Sequence, residues 1–330
     1  MSVLVTGGAG YIGSHMVWQL IEAGERVVVL DSLVTGFDWA VAPEALLVRG
    51  DIGEETLVRK LIGEHGIDAI IHFAGSVVVP DSVADPLGYY LNNTVKSRAL
   101  IAAAVAGEVK NFIFSSTAAV YGTPKETPVA EGAVLAPESP YGRSKLMTEM
   151  MLADTAAAHA FKYVALRYFN VAGADPKGRT GQSTRGATHL IKVACETALG
   201  KRAAMSIFGT DYPTADGTCV RDYIHVADLV AAHLDALKHL RAGGKSMVAN
   251  CGYGRGYSVR EVVDTVKKVA GVDFPVVIAD RRPGDPSAIV ADPAFIMTEF
   301  GWKPRYDDLA GIVASALAWE NHLSRRNQRD

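Results

Sequence analysis

VLVTGGAGYIG, residues 3 to 13, runs from a short apolar stretch into three glycines spaced G-x-x-G-x-x-G, at Gly7, Gly10 and Gly13. Glycines there allow a tight turn between a first strand and a first helix, and let backbone amides approach an anion favoured by the helix N-terminus. A glycine-rich turn alone could be only a loop. Its surroundings decide: an apolar strand precedes it, a helical pattern over about residues 12 to 23 follows, and Asp31 ends the second apolar run, VVVLD (27 to 31). Together these make a dinucleotide-binding fingerprint, with the pyrophosphate on the turn and Asp31 on the adenosine ribose. The Asp31 carboxylate would repel a 2′-phosphate and no arginine follows it, so NAD is expected rather than NADP.

The same rhythm continues outward. ALLVRGD (45 to 51), AIIHFAG (69 to 75), NFIFSST (111 to 117) and YVALRYFN (163 to 170) alternate with helical stretches near 54 to 65, near 86 to 107 and from Tyr141 onward. Strands that read as continuous apolar runs are buried on both faces, and their alternation with helices predicts an α/β fold, a doubly wound parallel Rossmann-type sheet. After Asn170 the rhythm breaks into loops rich in Gly and Asp-Pro (172 to 186), a helix near 187 to 199, a short MSIFG and a polar loop from Thr210 to Gly217. Loops this long are usually functional. We expect an NAD-binding domain over 1–178 and a smaller, irregular C-terminal substrate lobe over 179–330, with segments around 219–251 packing back on the first domain.

Composition narrows the function. The chain has 330 residues, 49% hydrophobic and 21% charged, with a formal charge of −3. Its lysines and arginines form no block, so nucleic acid and anionic membrane surfaces are not expected partners. The longest purely apolar run, residues 99 to 106, is too short to span a bilayer, and MSVLVTGG carries no basic leader, so a cytoplasmic protein is expected. Three scattered cysteines, Cys195, Cys219 and Cys251, suit reduced thiols, and nine histidines without H-x-x-x-H predict no metal. SRRNQRD (324 to 330) reads as a frayed tail.

The chemistry lies farther along. SPYGRSKLMTE (139 to 149) places Tyr141 and Lys145 on one helix face, behind a capping Ser139 and Pro140 in the first turn. Taken alone, the pair reads better as an ordinary half-exposed surface pair. NFIFSST sets Ser115, Ser116 and Thr117 at the carboxyl end of a sheet strand, the edge where open α/β sheets bind ligands. Strand-end hydroxyls can also be simple hydrogen bonders.

With the glycine turn ahead and Y-x-x-x-K behind, the sequence resembles the extended short-chain dehydrogenase/reductase family over nearly its whole length. Its nucleotide-sugar 4-epimerase branch matches best, on VTGGAGYIGSH (5 to 15), IHFAG (71 to 75), SPYGRSKLM (139 to 147), LRYFNVAGA (166 to 174), IFGTDYPTADGTCVRDYIHVADL (207 to 229) and RRPGD (281 to 285). The resemblance implies an NAD-dependent isomerase that interconverts UDP-glucose and UDP-galactose at C4 through a 4-keto sugar. Tyr141 would be the base, Lys145 would help to acidify it and Thr117 would hold the sugar hydroxyl. A tyrosine titrates near 10, and bringing it to about 7 takes roughly 4 kcal/mol of phenolate stabilisation.

The resemblance further implies cofactor contacts from Gly7, Gly10, Tyr11, Ile12, Gly13, Asp31 and Ser32, from Asp51 and Ile52 at the adenine, which alone fit a polar strand end nearly as well, and from Phe73, Ala74, Gly75, Asn92 and Phe169, alongside Tyr141 and Lys145. For the UDP-sugar it implies Thr117, Tyr141, Asn170, His189, Leu190, Phe208, Arg221, Arg282 and Asp285, with both arginines on the diphosphate. Either arginine singly equally fits a surface residue paired with a nearby aspartate. The pattern departs at Thr117 (usually serine), Val77 (often lysine), His189 (usually asparagine) and Ile289, whose bulk bears on N-acetyl groups. Ala118 and Ala119 stand where dehydratases of this fold carry an acidic pair, which disfavours dehydration. A non-catalytic NAD-binding protein is disfavoured by an intact Thr117, Tyr141 and Lys145. A homodimer through the helices near 86 to 107 and 141 to 160 is expected from the resemblance.

Overall fold

The structure, a computed structural model, describes residues 1–282 and 284–326. The strands are β1 (Ser2–Thr6), β2 (Arg26–Asp31), β3 (Leu46–Arg49), β4 (Ile67–His72), β5 (Asn111–Thr117), β6 (Lys162–Tyr168), β7 (Asn170–Ala172), β8 (Met205–Phe208), β9 (Val220–His225), β10 (Met247–Cys251), β11 (Gly256–Ser258), β12 (Val276–Ala279) and β13 (Ala288–Ile289). The helices are α1 (Tyr11–Glu22), α2 (Glu55–His65), α3 (Val79–Ala84), α4 (Pro86–Tyr89), α5 (Lys96–Ala106), α6 (Pro140–Ala158), α7 (Leu190–Ala198), α8 (Val226–Arg241), α9 (Val259–Ala270), α10 (Ala294–Phe300) and α11 (Leu309–Arg326).

Seven strands form one parallel sheet in the order β10-β6-β5-β4-β1-β2-β3. Side chains alternate between its faces, and both are apolar: Val3 and Val5 of β1 join Leu229 and Leu237 of α8, whereas Leu4 joins Leu61 of α2, Leu100 of α5 and Leu152 of α6. The strand order reverses around β1, which opens a crevice at the carboxyl edge between β1 and β4. Beyond that edge, β7, β9, β11 and β13 form a small mixed sheet and β8 pairs with β12. A separate core underlies this region, with Ile191 and Cys195 of α7, Val262 and Val266 of α9 and Val313 of α11.

Four local expectations change. The helix near 86 to 107 is interrupted by a π-helical turn, Tyr90–Val95, within which Asn92 and Asn93 both reach Ser76. The single strand expected over 163 to 170 breaks at Phe169, so that Asn170 pairs with β9 instead of extending the main sheet. The helix expected from 187 begins at Leu190, because His189 is extended. Residues 324–326 continue α11 where a frayed tail was expected, and the rest of that tail lies outside the described residues.

Candidate functional site

The glycine turn is shaped by close backbone contact. Gly7 adopts φ +71° and its amide donates to Leu30 O at 2.9 Å, while the Gly10 amide donates to Gly7 O at 3.1 Å. A Cβ on Gly13 would lie 2.1 Å from Gly7 O, so a side chain there would displace main chain. Gly10 caps α1 without any side-chain hydrogen bond, leaving the first amides of the helix to an outside acceptor. Tyr11 turns away, its hydroxyl donating to Gly173 O at 2.7 Å, and Ile12 packs on the core, so both offer main chain to the crevice. The Asp31 carboxylate braces the turn by accepting from the Ala9 amide at 2.9 Å and the Leu33 amide at 2.8 Å, with Ser32 exposed beside it. Carboxylate oxygens have further lone pairs for ribose hydroxyls. These residues fit a dinucleotide.

Farther along the edge, Asp51 is held by Lys96 at 2.5 Å and by the Gly53 amide at 2.8 Å, while the Ile52 side chain is buried core and leaves only its backbone for an adenine. Phe73 and Ala74 both donate their amides to Thr6 O, and a Cβ on Gly75 would stand 3.0 Å from Asn93 Oδ1 and 3.8 Å from Lys145 Nζ. Asn92 donates to Ser76 Oγ at 2.9 Å. Val77 is half exposed and makes no polar contact. The Phe169 ring is buried with Ile289 and Tyr121.

Tyr141 and Lys145 face the end of β5 together. The Tyr141 hydroxyl meets the Thr117 side chain, whose oxygen accepts from the Ala119 amide at 3.1 Å. Lys145 Nζ donates to Ser115 O at 2.8 Å and lies 4.9 Å from the Phe114 ring centre. The pair is therefore a buried constellation, not a surface one. Burial pushes the Tyr141 phenol up, opposed by the Thr117 hydroxyl. Burial also lowers Lys145 to about 8, and its one hydrogen bond goes to the β5 backbone.

The substrate candidates fall into two groups. Asn170, His189 and Leu190 line a cleft together with Tyr11, Gln182, Lys192, Tyr223 and Glu320. Phe208, Arg221, Arg282 and Asp285 cluster separately: the Arg282 guanidinium lies 4.6 Å from the Phe208 ring centre, and Asp285 takes Arg282 Nε at 3.0 Å and Arg221 at 3.6 Å. Both arginines thus meet an aspartate, one of the two alternatives open in the sequence; Pro283 between them and Asp285 lies outside the described residues.

Sequence reasoning missed several neighbours. Arg281 bonds Asp211 at 2.6 Å and stacks 4.1 Å from the Tyr212 ring, tying the 210–217 loop to the segment that carries Arg282. Lys192, one turn after His189 on α7, was findable by helical spacing. Its partner Glu320 comes from α11, more than a hundred residues away, and no local signal points to it. Glu149, one turn beyond Lys145, was also in plain view.

The NAD dependent epimerase/dehydratase family matches residues 3–252 of this chain. UDP-glucose 4-epimerase of Azospirillum brasilense is 56% identical, over 98% of this chain and 93% of its own length. A crystal structure of UDP-glucose 4-epimerase from Brucella ovis in complex with NAD superposes with a TM-score of 0.93 at 44% identity, covering 96% of this chain and 97% of that one. The UDP-Glc/GlcNAc 4-epimerase of Campylobacter jejuni gives 0.85 at 47% identity, covering 97% and 99%.

Proposed function

The chain belongs to the NAD dependent epimerase/dehydratase family, and from that premise we propose that it interconverts UDP-glucose and UDP-galactose by inverting C4 of the hexose. The observation that carries the reading is the gathering of Tyr141 and buried Lys145, which bonds the Ser115 carbonyl, against Thr117 at the carboxyl end of β5 beside the glycine turn. NAD, when bound, supplies the acceptor and donor for the C4 hydride and a positive ring charge.

The chain's own groups do the rest. Thr117 holds the C4 hydroxyl, and Tyr141 takes its proton as the 4-keto sugar forms and returns it to the inverted sugar. Burial raises the phenol, so positive charge beside it, from Lys145 and from the nicotinamide when bound, is needed to acidify it. Inversion requires the ketone to turn over, so the hexose needs a loose grip and the nucleotide a firm one. Arg221 and Arg282 suit the diphosphate, exchanging Asp285 for phosphate oxygens, and the Phe208 ring suits the base. Gly7, Gly10, Gly13 and Asp31 cradle the dinucleotide, and Asn170, His189 and Leu190 face the sugar diphosphate across their cleft.

Purified protein given UDP-galactose without added NAD should yield UDP-glucose; no conversion, with NAD retained and UDP bound, would overturn the reading. A second reading, action on UDP-N-acetylhexosamines, turns on Ile289, whose medium-sized side chain is buried beside Phe169. Parallel incubation with UDP-N-acetylgalactosamine decides it.

We further propose a homodimer. Leu87, Leu91 and Val95, around the π-helical turn, and Met147 and Met150 of α6 are exposed apolar side chains on the two helical segments expected to pair. Leu91→Arg should convert a dimer to a monomer in sedimentation; a monomer before substitution refutes the assignment. Three buried free cysteines suit a cytosolic location. Among the described residues no helix is long and apolar enough to cross a membrane.

A further inference from the structure

Glu149 extends the stripe of Tyr141 and Lys145 by one more turn of α6 and is buried. Three consecutive residues of β5 meet the three members of that stripe: Thr117 faces the Tyr141 hydroxyl, the Ser115 carbonyl accepts from Lys145, and the Ser116 hydroxyl donates to Glu149. On its other side Glu149 forms a two-pronged pair with buried Arg167, Nε to Oε1 at 3.0 Å and Nη2 to Oε2 at 2.6 Å.

Ser116, Arg167 and Asn250 are register neighbours across β5, β6 and β10. Tyr121 bridges the last two, its hydroxyl accepting from Arg167 Nη1 at 2.9 Å and donating to Asn250 Oδ1 at 2.7 Å. The row also grips the segment after Tyr121: Asn250 Nδ2 donates to Val129 O at 2.8 Å, the Asn250 amide to Glu131 Oε1 at 2.7 Å, and Arg167 Nη1 to Glu131 O at 3.3 Å. Val129 bridges Ala291 and donates to Val290 O at 2.8 Å. The neighbouring Ile289 pairs with Arg221 between β13 and β9.

A buried ion pair contributes little net stability over a well-packed apolar substitute. This one touches β5, the strand that faces the phenol, at one end and, through Tyr121, Asn250 and the Val129 segment, the diphosphate arginine's strand pairing at the other. We propose that Glu149 and Arg167 are positioning residues: with Ser116 they fix Tyr141 against Thr117, and through Tyr121 and Asn250 they tie that pair to the strand pairing that carries Arg221. The proposal rests on the epimerase reading above and deepens it.

Glu149→Ala would strand the Arg167 guanidinium and unfold the chain, so the test uses Ser116→Ala and Tyr121→Phe, each of which deletes one hydroxyl. Measured on full-length protein are kcat per NAD-loaded site and KM with UDP-galactose, UDP affinity by calorimetry, and thermal unfolding. Ser116→Ala should lower kcat about tenfold with KM and UDP affinity within about twofold. Tyr121→Phe should weaken UDP and raise KM about fivefold with kcat within about twofold. A merely structural network would lower the unfolding temperature of both and move neither split. Either variant leaving its own quantity within about twofold of the unmodified protein overturns the proposal. If the unmodified protein binds NAD and UDP but turns nothing over, the epimerase reading fails, and the effect of Tyr121→Phe on UDP affinity still decides the proposal.

Discussion

Tyr141 stands in a site that, on its own, favours the neutral phenol. Burial raises it, the Thr117 hydroxyl pulls the other way, and the nearest ammonium, itself lowered to about 8, hydrogen-bonds a strand carbonyl. Such a group is a base only while a positive charge is present beside it, which couples proton removal to the bound oxidant. Tyr141→Phe removes the proton acceptor and leaves every cofactor contact of the glycine turn in place. Turnover should fall by at least about a hundredfold while the protein still purifies with NAD; near-normal turnover would take the base role away from Tyr141. The residue pair was legible in the sequence because spacing of four fixes adjacency on a helix. Its acidity was not legible, because burial and partner geometry set that sign.

The decisive element is the β1–α1 turn. Gly7, Gly10 and Gly13 were readable because only glycine permits the turn, and the 2.1 Å approach of a Gly13 Cβ to Gly7 O gives the steric reason. Gly13→Ala meets backbone that no rotamer change can clear, so the turn must open. Protein with this substitution should elute without NAD while circular dichroism reports an intact fold; full NAD occupancy would show that the turn tolerates a methyl. Other boundaries were less legible. Nothing local in YVALRYFN marks Phe169 as the point where one strand changes sheets, because the partner that captures Asn170 is β9, some fifty residues later. The π-helical turn in the 86 to 107 stretch likewise depends on Ser76, which receives both asparagines.

Across the whole molecule, burial makes stability sensitive to acid. His15, His225 and His233 are lowered to about 4 and His72 to about 3, all chiefly by burial, and the His72 ring is lodged between the Thr6 and Ser97 hydroxyls. Below the ordinary value of 6.5 the unfolded chain binds protons that the fold refuses. The histidine contribution is therefore complete above about pH 6.5 and lost as pH falls toward 4, at up to about 1.4 kcal/mol per pH unit for each ring. Asp222, raised to about 6 by burial, acts in the opposite sense, as do Asp228 and Glu131, also raised by burial; each favours the fold below the ordinary carboxyl range and loses that contribution as pH rises. The histidines outnumber them. The urea midpoint should drop steeply between pH 7 and pH 5, and a flat profile over that interval would mean that these rings are protonated in the folded protein.

The sequence by itself determined the alternation of strands and helices, the dinucleotide turn and the face shared by Tyr141 and Lys145. All three follow from backbone sterics and periodicity, which act over a few residues. Only the tertiary structure decided that Arg221 and Arg282 converge on Asp285, that Glu320 answers Lys192, and that Ser116, Arg167 and Asn250 line up as one row beneath the phenol. Those arrangements depend on which distant segments share a desolvated space, and pairing across such distances leaves no period in the chain.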